Sequence, residues 1–151
     1  MSSNSKFNID LIRIDEITIT NAAIDNRSEL SSLSHIEHKF TLESLFNASI
    51  NESKKKIKIL FTCKINILSN SNDQELGISG HFDIAYIFFI ENFDDLTTIN
   101  NDNADINPDL YSGLIDIAYS TSRGIIYTRC LGTILKNIIL PVQSTTNLVE
   151  H

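Results

Sequence analysis

Residues 109–131 read DLYSGLIDIAYSTSRGIIYTRCL, and this stretch decides the fold. It predicts one long helix, which Pro108 opens at a position where the missing N–H is not needed. Helical spacing places the apolar side chains in two stripes, whereas a helix with one solvated side needs only one. The pattern therefore predicts that both sides of the helix are covered. In a chain of 151 residues, the second cover is expected to be another subunit.

The second of these stripes is the expected oligomer interface. Gly124 interrupts the helix, and a glycine there costs about 1 kcal/mol relative to alanine. It is therefore expected to mark close packing against another backbone. The first stripe consists of Leu110, Leu114, Ile117, Thr121 and Ile125, and the second of Tyr111, Ile115, Tyr119, Ile126 and Cys130.

Four stretches upstream of the helix have strand-like patterns: 7–20, 36–46, 57–67 and 76–91. The third alternates almost strictly between apolar and polar residues, as a strand with one buried and one wet face does. The apolar pattern of the first changes phase after Leu11, which predicts a bulge or a strong bend. The second half of the fourth is apolar on both faces, so cover is expected on both.

The segments between these elements are polar. Residues 21–34 form a connection that is long for a compact domain, and such loops are often functional. Residues 92–107, rich in Asn and Asp, are expected to be an acidic linker, and residues 1–6 and 149–151 to be disordered. Residues 1–151 are predicted to form a single α+β domain, in which a four-stranded antiparallel sheet packs on one long C-terminal helix with a short tail segment.

Composition and charge argue against several classes of partner. A hydrophobic fraction of 42% and a charged fraction of 21% are ordinary for a globular domain. The formal net charge of −7 argues against nucleic acid or an anionic membrane as a partner. No apolar run is long enough for membrane insertion and no secretory signal is visible, so we expect a cytoplasmic protein. Cys63 and Cys130 lack metal-type spacing and fit buried, reduced thiols.

No constellation of side chains predicts catalysis. His81 and Asp83 lie two residues apart on the fourth strand and share a face with Glu91, which is the nearest approach to an acid–base site. No nucleophile or glycine-rich turn accompanies them, so structural or surface roles are the expectation. His35 and His38 point to opposite faces of a strand and cannot share a metal. We therefore expect no enzyme activity, no cofactor and no metal.

The C-terminal third of the chain resembles the SecB family of protein-export chaperones. The similarity is carried by AYSTSRGI at 118–125, by Gly-Thr at 132–133, by Pro-Val at 141–142 and by Leu148 beyond. The order of four strands with a long crossover connection agrees as well, so the resemblance spans most of residues 7–149. The strands match by pattern rather than by letters.

This resemblance implies a function as well as a fold. Members of the family hold unfolded polypeptides such as preproteins in apolar grooves without ATP, as homotetramers built as a dimer of dimers. They present acidic strand surfaces to the translocase motor ATPase, and a charge of −7 is compatible with that. Two alternatives are a dedicated chaperone of an antitoxin, as some diverged relatives look to be, and a plain homo-oligomer without general clients. Carried to this chain, the client groove comprises Phe40, Leu42, Ile138, Leu140, Val142 and Leu148.

Overall fold

Four long strands and one long helix dominate the structure, a computed structural model that describes residues 7–101 and 103–143. In chain order the elements are a 3-10 turn at Ile9–Leu11, β1 (Ile12–Asn26), β2 (His38–Asn51), β3 (Lys56–Ser69), β4 (Glu75–Ile90), α1 (Phe93–Leu96), β5 (Thr97–Asn100), β6 (Asn103–Ile106) and α2 (Pro108–Cys130). The main sheet is antiparallel throughout, with the order β1-β4-β3-β2. The predicted α+β class is confirmed. No helix in the described part of the chain is long and apolar enough to cross a membrane.

The strand β1 differs most from its predicted course. It begins at Ile12 and continues to Asn26, because it keeps pairing with β4 through polar residues that were expected to form a loop. Its register shifts between Ile14 and Glu16, which confirms the predicted bulge, and it shifts once more further along the strand. The strand β2 likewise runs on to Asn51, beyond its predicted end.

One face of the main sheet, here called the inner face, forms the hydrophobic core with α2. On β3 the alternating residues of this face, from Ile57 to Ile67, are fully buried. Phe61 meets Tyr119 of α2 edge to face, with ring centroids 5.9 Å apart. The opposite side of the sheet is called the outer face, and β3 presents its lysines there.

The outer side of β4 is covered by charged side chains rather than by a second layer of structure. Ile87 and Phe89 point outward and are half-buried. The guanidinium of Arg13 lies 4.6 Å from the centroid of the Phe89 ring, and Lys58 stands opposite Ile87 on β3. Long charged side chains cover apolar surface with their aliphatic stems. The apolar pattern on both faces of this strand therefore needs no further subunit.

The buried face of α2 takes residues from both predicted stripes. Leu110 and Leu114 of the first stripe are fully buried, and so is most of the second. Neighbouring residues differ by about 100° around a helix axis, so one broad sheet face can cover the adjoining edges of two stripes. Tyr111 is half-buried. Ile115, Tyr119, Ile126 and Cys130, predicted to lie at an oligomer interface, are buried in the chain's own hydrophobic core.

A single buried polar pair links the helix to the sheet within this core. The hydroxyls of Tyr86 on β4 and Ser122 on α2 lie 2.5 Å apart, and both side chains are fully buried. Burial raises the pKa of Tyr86 above its ordinary value, although the Ser122 hydroxyl partly offsets this. Because each hydroxyl satisfies the other, Ser122 is tolerated among apolar neighbours. The pair fixes the position of α2 along β4.

The segment expected to be an acidic linker, residues 92–107, carries secondary structure. After α1, the strands β5 and β6 form a separate two-stranded antiparallel sheet. Phe93 and Leu96 of α1 are buried and anchor this unit to the core. Asn107 then caps α2, because its side-chain oxygen accepts hydrogen bonds from the first backbone amides of the helix.

Candidate functional site

A groove opens between the connection from β1 to β2 and the chain that follows α2. Residues 27–37 are here called the connecting loop, and residues 131–143 the C-terminal segment. The groove has a volume of about 410 Å³, which is within the size range of ligand-binding clefts. Its lining comprises Ser31, Ser32, Leu33, Ser34, Ile36, His38, Gly132, Thr133, Ile134, Lys136, Asn137 and Ile138.

The C-terminal segment leaves α2 through a tight turn and then returns to the core. Gly132 has a φ of +77°, a left-handed conformation that glycine adopts without strain. The backbone amide and the hydroxyl of Thr133 both donate to the carbonyl oxygen of Cys130. Leu135 is fully buried, and its Cδ1 would lie 3.1 Å from a Cβ placed on Gly80 of β4. The small residue at position 80 thus gives this leucine room on the sheet.

Two side chains of α2 hold the far end of the C-terminal segment. The hydroxyl of Tyr119 donates to the carbonyl oxygen of Pro141 at 2.6 Å, and Nε of Arg123 donates to that of Leu140 at 2.9 Å. Burial raises the pKa of Tyr119, so the hydroxyl keeps the proton that this hydrogen bond requires. The wall of the groove on this side is therefore fastened both by apolar burial and by hydrogen bonds from the helix.

The connecting loop is shaped by local hydrogen bonds of its small polar residues. The side chain of Asn26 donates to the carbonyl oxygen of Leu30 at 2.8 Å and accepts from the backbone amide of Ser28. Leu33 is buried and fixes the loop to the core, and the backbone amide of Ile36 donates to its carbonyl oxygen. Short polar side chains of this kind hold irregular backbone in place.

Solved structures match this architecture. The Rv1957 SecB-like chaperone of Mycobacterium tuberculosis, in complex with a ChAD peptide from the Rv1956 HigA1 antitoxin, has a TM-score of 0.65 over 89% of this chain and 92% of its own, at 12% identity. The fold is SecB-like. A protein of unknown function from Streptococcus agalactiae has a TM-score of 0.44 over 87% of this chain and 96% of its own, also at 12% identity. No family model and no curated sequence matches the chain.

In this SecB-like fold the predicted groove residues of the C-terminal segment differ in exposure, and not all of them line the groove. Ile138 lines the groove but is only 5% exposed. Leu140 is buried beneath the segment, whereas Val142 is 82% exposed and does not line the groove. Alternation along an extended segment accounts for the burial of Ile138 and Leu140 on one side and the exposure of Ile139 on the other. Of the predicted residues in this segment, only Ile138 contributes to the floor of the groove.

The predicted groove residues of β2 also lie outside the lining. Phe40 and Leu42 are half-buried on the inner face of β2, packed against the core. Leu148 lies outside the described residues. Sequence reasoning missed Leu33, Ile36 and Ile134 as groove residues. The signal that could have found them is the placement of single apolar residues within polar stretches.

A second apolar surface lies between the edge strand β1 and the outer flank of α2. Ile14 and Ile17, on the inner side of β1, are 39% and 41% exposed. Outside its own helix backbone and chain neighbours, no atom of the described residues lies within 4 Å of the position that a Cβ on Gly124 would take, so these residues do not supply the close packing predicted there. The surface contains a depression of about 520 Å³ lined by Ile19, Thr121, Gly124, Ile125, Thr128 and Arg129.

The outer face of the SecB-like sheet is mixed in charge rather than uniformly acidic. Lys58 and Lys64 of β3 lie on it, and Lys56 pairs with Asp15 of β1 at 2.9 Å. Hydrogen bonds from Arg13 and then Lys56 hold the pKa of Asp15 below its ordinary value. The net charge of −7 is compatible with an acidic strand surface, but this face of the sheet is not one.

The same face holds the pair that came nearest to an acid–base site. Nε2 of His81 lies 3.2 Å from an oxygen of Asp83, and the hydroxyl of Thr62 donates to that carboxylate at 2.7 Å. Burial opposes ionisation of Asp83, but the hydrogen bond from Thr62 and the nearby His81 outweigh it and hold its pKa below the ordinary value. Glu91 follows the end of β4. The arrangement of His81 and Asp83 is that of a hydrogen-bonded pair on the surface.

Proposed function

We propose that this chain is an ATP-independent holdase chaperone that binds unfolded polypeptide segments in the groove between the connecting loop and the C-terminal segment. The observation that carries this proposal is the combination of a SecB-like fold with an open groove that has an apolar floor. Rv1957, which shares the fold, was solved with a peptide bound. Burial of apolar client surface, at about 25 cal/mol per Å², is a sufficient driving force, so the function needs neither a nucleotide nor a catalytic residue.

The proposal leaves a choice between general and dedicated clients. A general holdase would keep preproteins competent for translocation, whereas a dedicated chaperone would protect one partner such as an antitoxin. The antitoxin peptide in the Rv1957 complex favours the second alternative. The mixed charge of the outer face gives no support to docking of a translocase motor ATPase there. The proposal is therefore that the chain binds polypeptide clients. A role in protein export is the form of this proposal in which the clients are general preproteins.

Replacing Ile36 by Asp is expected to reduce holding activity about tenfold or more, because it places a charge on the apolar floor that a client must cover. The measurement is light scattering from two unrelated chemically unfolded proteins diluted into buffer with near-stoichiometric chaperone. Leu45→Asp, at a residue that is 62% exposed on the outer face, serves as the matched control and should retain full activity. Equal activity in both variants would remove the groove from the proposal.

The wild-type protein in the same assay separates general from dedicated clients. Suppression of aggregation for both unrelated proteins supports the general holdase. Protection of a single partner, such as the antitoxin encoded by a neighbouring gene, with no effect on unrelated proteins supports the dedicated form. No holding activity toward any unfolded protein or antitoxin contradicts both.

We also propose that copies of this chain associate through the surface between β1 and the outer flank of α2. Ile14 and Ile17 leave apolar area exposed along an unpaired edge strand, and such edges pair readily with another strand. Gly124 shares a depression with Ile19 of the same strand, and the lack of a side chain there leaves space for a second backbone. Association there would cover apolar surface that a single chain leaves in water. Two such contacts, one through the sheet edge and one through the helix, would build a dimer of dimers.

Replacing Ile17 by Asp is expected to weaken self-association about tenfold or more, because a carboxylate would be desolvated in the interface. The molar mass in solution, from sedimentation equilibrium, should fall from that of four chains of 17.0 kDa each toward that of two, because the contact through the helix is retained. Leu45→Asp again provides the control and should leave the mass unchanged. A wild-type protein that sediments as a monomer would overturn the proposed association.

A further inference from the structure

We infer that the groove selects apolar client segments that are flanked by acidic residues. This inference rests on the proposed function and concerns the chemistry of the same groove. It runs against the overall charge of the chain, which is −7 and by itself would favour basic segments. The argument depends on which titratable side chains line the groove and on what they contact.

The floor of the groove offers a small number of apolar anchor points. Ile36 from the connecting loop and Ile134 from the C-terminal segment are half-buried, so each leaves part of its side chain open to a ligand. Leu33 and Ile138 lie beneath them and are nearly inaccessible. A floor of this extent fits one or two apolar client side chains rather than a continuous apolar stretch. The rest of the client segment must therefore lie against the polar rim.

Among the described residues, the lining holds one lysine and one histidine and no acidic side chain. Lys136 is exposed at the rim, and within residues 7–101 and 103–143 it forms no ion pair. Nδ1 of His38 lies 2.8 Å from the carbonyl oxygen of Ile36, so this nitrogen carries a proton and donates. Nε2 of His38 then presents its lone pair and can accept a hydrogen bond from a client N–H or O–H group. Lys136 is therefore the side chain of the described lining that can attract an acidic client residue.

No carboxylate of residues 7–101 or 103–143 lines the groove. Glu37 stands next to His38 in the sequence but is exposed and is not part of the lining, and the carboxylate of Asp73 is engaged by Lys39. A basic client residue over the rim would meet Lys136 without a counter-charge. An acidic client residue would meet the Lys136 ammonium group, which has no ion-pair partner among residues 7–101 and 103–143. The serine and threonine hydroxyls of the lining add neutral hydrogen-bonding partners.

Screening decides which charges a bound segment senses. At physiological ionic strength the Debye length is about 8 Å, so carboxylates farther than this from the groove act weakly on a bound segment. Glu37 is nearer in sequence, but it is exposed and lies outside the lining. Lys136 lies within the lining and acts at contact distance. Local complementarity of this kind sets specificity more than overall affinity. The groove is thus suited to a client in which one or two apolar anchors are bordered by Asp or Glu.

The test uses three fluorescein-labelled peptides with the same Ile-Phe-Leu core, flanked on both sides by Glu, by Gln or by Lys. Binding to the full chain is measured by fluorescence anisotropy at low and at high salt. The Glu peptide is expected to bind about three- to tenfold more tightly than the Lys peptide, with the Gln peptide between them. The difference should shrink at high salt.

A charge-reversal variant separates the groove from the rest of the surface. Lys136→Glu is expected to abolish or reverse the preference, whereas Lys64→Glu, an equal change on the outer face, should leave it intact. Equal binding of the three peptides, or tighter binding of the Lys peptide, overturns this inference while leaving the holdase proposal standing. If no peptide binds and no unfolded protein is held, the proposed function and this inference both fall.

Discussion

Replacing Leu135 by Ala is expected to lower the free energy of unfolding by about 2–5 kcal/mol, the usual cost of truncating a buried leucine. Its side chain is fully buried and packs over Gly80, so its removal leaves a cavity between the C-terminal segment and β4. Urea unfolding followed by circular dichroism measures the loss. Because Leu135 also anchors one wall of the groove, the variant should bind unfolded clients less well even where it remains folded.

A matched control lies four residues earlier in the same segment. Leu131 is 51% exposed, so Leu131→Ala should change the free energy of unfolding by less than about 0.5 kcal/mol. The comparison removes the effect of residue type, since both variants exchange a leucine for an alanine. If the two variants lose equal stability, the C-terminal segment does not pack on the sheet as described, and the groove loses its wall.

Stability is expected to fall steeply in alkali, because burial raises the pKa of the Cys63 thiol from 9.0 to about 12, with a smaller contribution from Cys130. Between these values the folded chain keeps a proton that the unfolded chain has lost. The free energy of unfolding then decreases by about 1.4 kcal/mol per pH unit for this group. Over the whole interval the loss amounts to roughly 4 kcal/mol. Below pH 9.0 the thiol is protonated in both states and contributes no pH dependence.

The measurement is the free energy of unfolding, from urea titrations with a reducing agent at several pH values above 8. Cys63→Ala provides the control, because it removes the thiol while lysines and tyrosines titrate as before. The curve of this variant should be shallower than that of the wild type by nearly one proton. Parallel curves would show that Cys63 is accessible to water and that the core between α2 and β3 is looser than described.

The Leu135 experiment tests how the C-terminal segment packs on the sheet, and the Cys63 experiment tests the core between α2 and β3. The groove proposed to bind clients depends on both. The C-terminal segment is held by Leu135 from below and by Tyr119 and Arg123 from α2. Those contacts shape the groove before any client arrives. A segment fixed in this way presents Ile134 and Lys136 in a set position, and preorganisation of a binding site lowers the entropy cost of association.

The sequence determined the four long strands, the long helix and their order because local patterns carry that information. It did not predict α1, β5 and β6, which form within a polar segment that lacks such a pattern. Alternation along β3, from Ile57 to Ile67, fixed a strand with one wet face. Pro108 and the helical spacing after it fixed the start and length of α2. The change of phase in β1 located its bulge, since a shift of one residue moves every later side chain to the other face. Together with the motif in residues 118–142, these patterns led to the SecB-like fold.

Only the tertiary structure decided which apolar residues are core and which are surface. Ile115 and Ile117 are two residues apart on α2 and equally apolar, yet one is fully buried and the other only half-buried. The run from Ile138 to Leu140 behaves similarly, with buried and exposed residues alternating, whereas Val142 beyond it is exposed. Exposure depends on where the sheet ends and on what the returning chain covers, and both are set by contacts between residues distant in sequence. For that reason the lining of the groove and the exposed edge of β1 became visible only in the packed structure. The sequence alone had predicted the groove and the oligomer interface mostly at other residues.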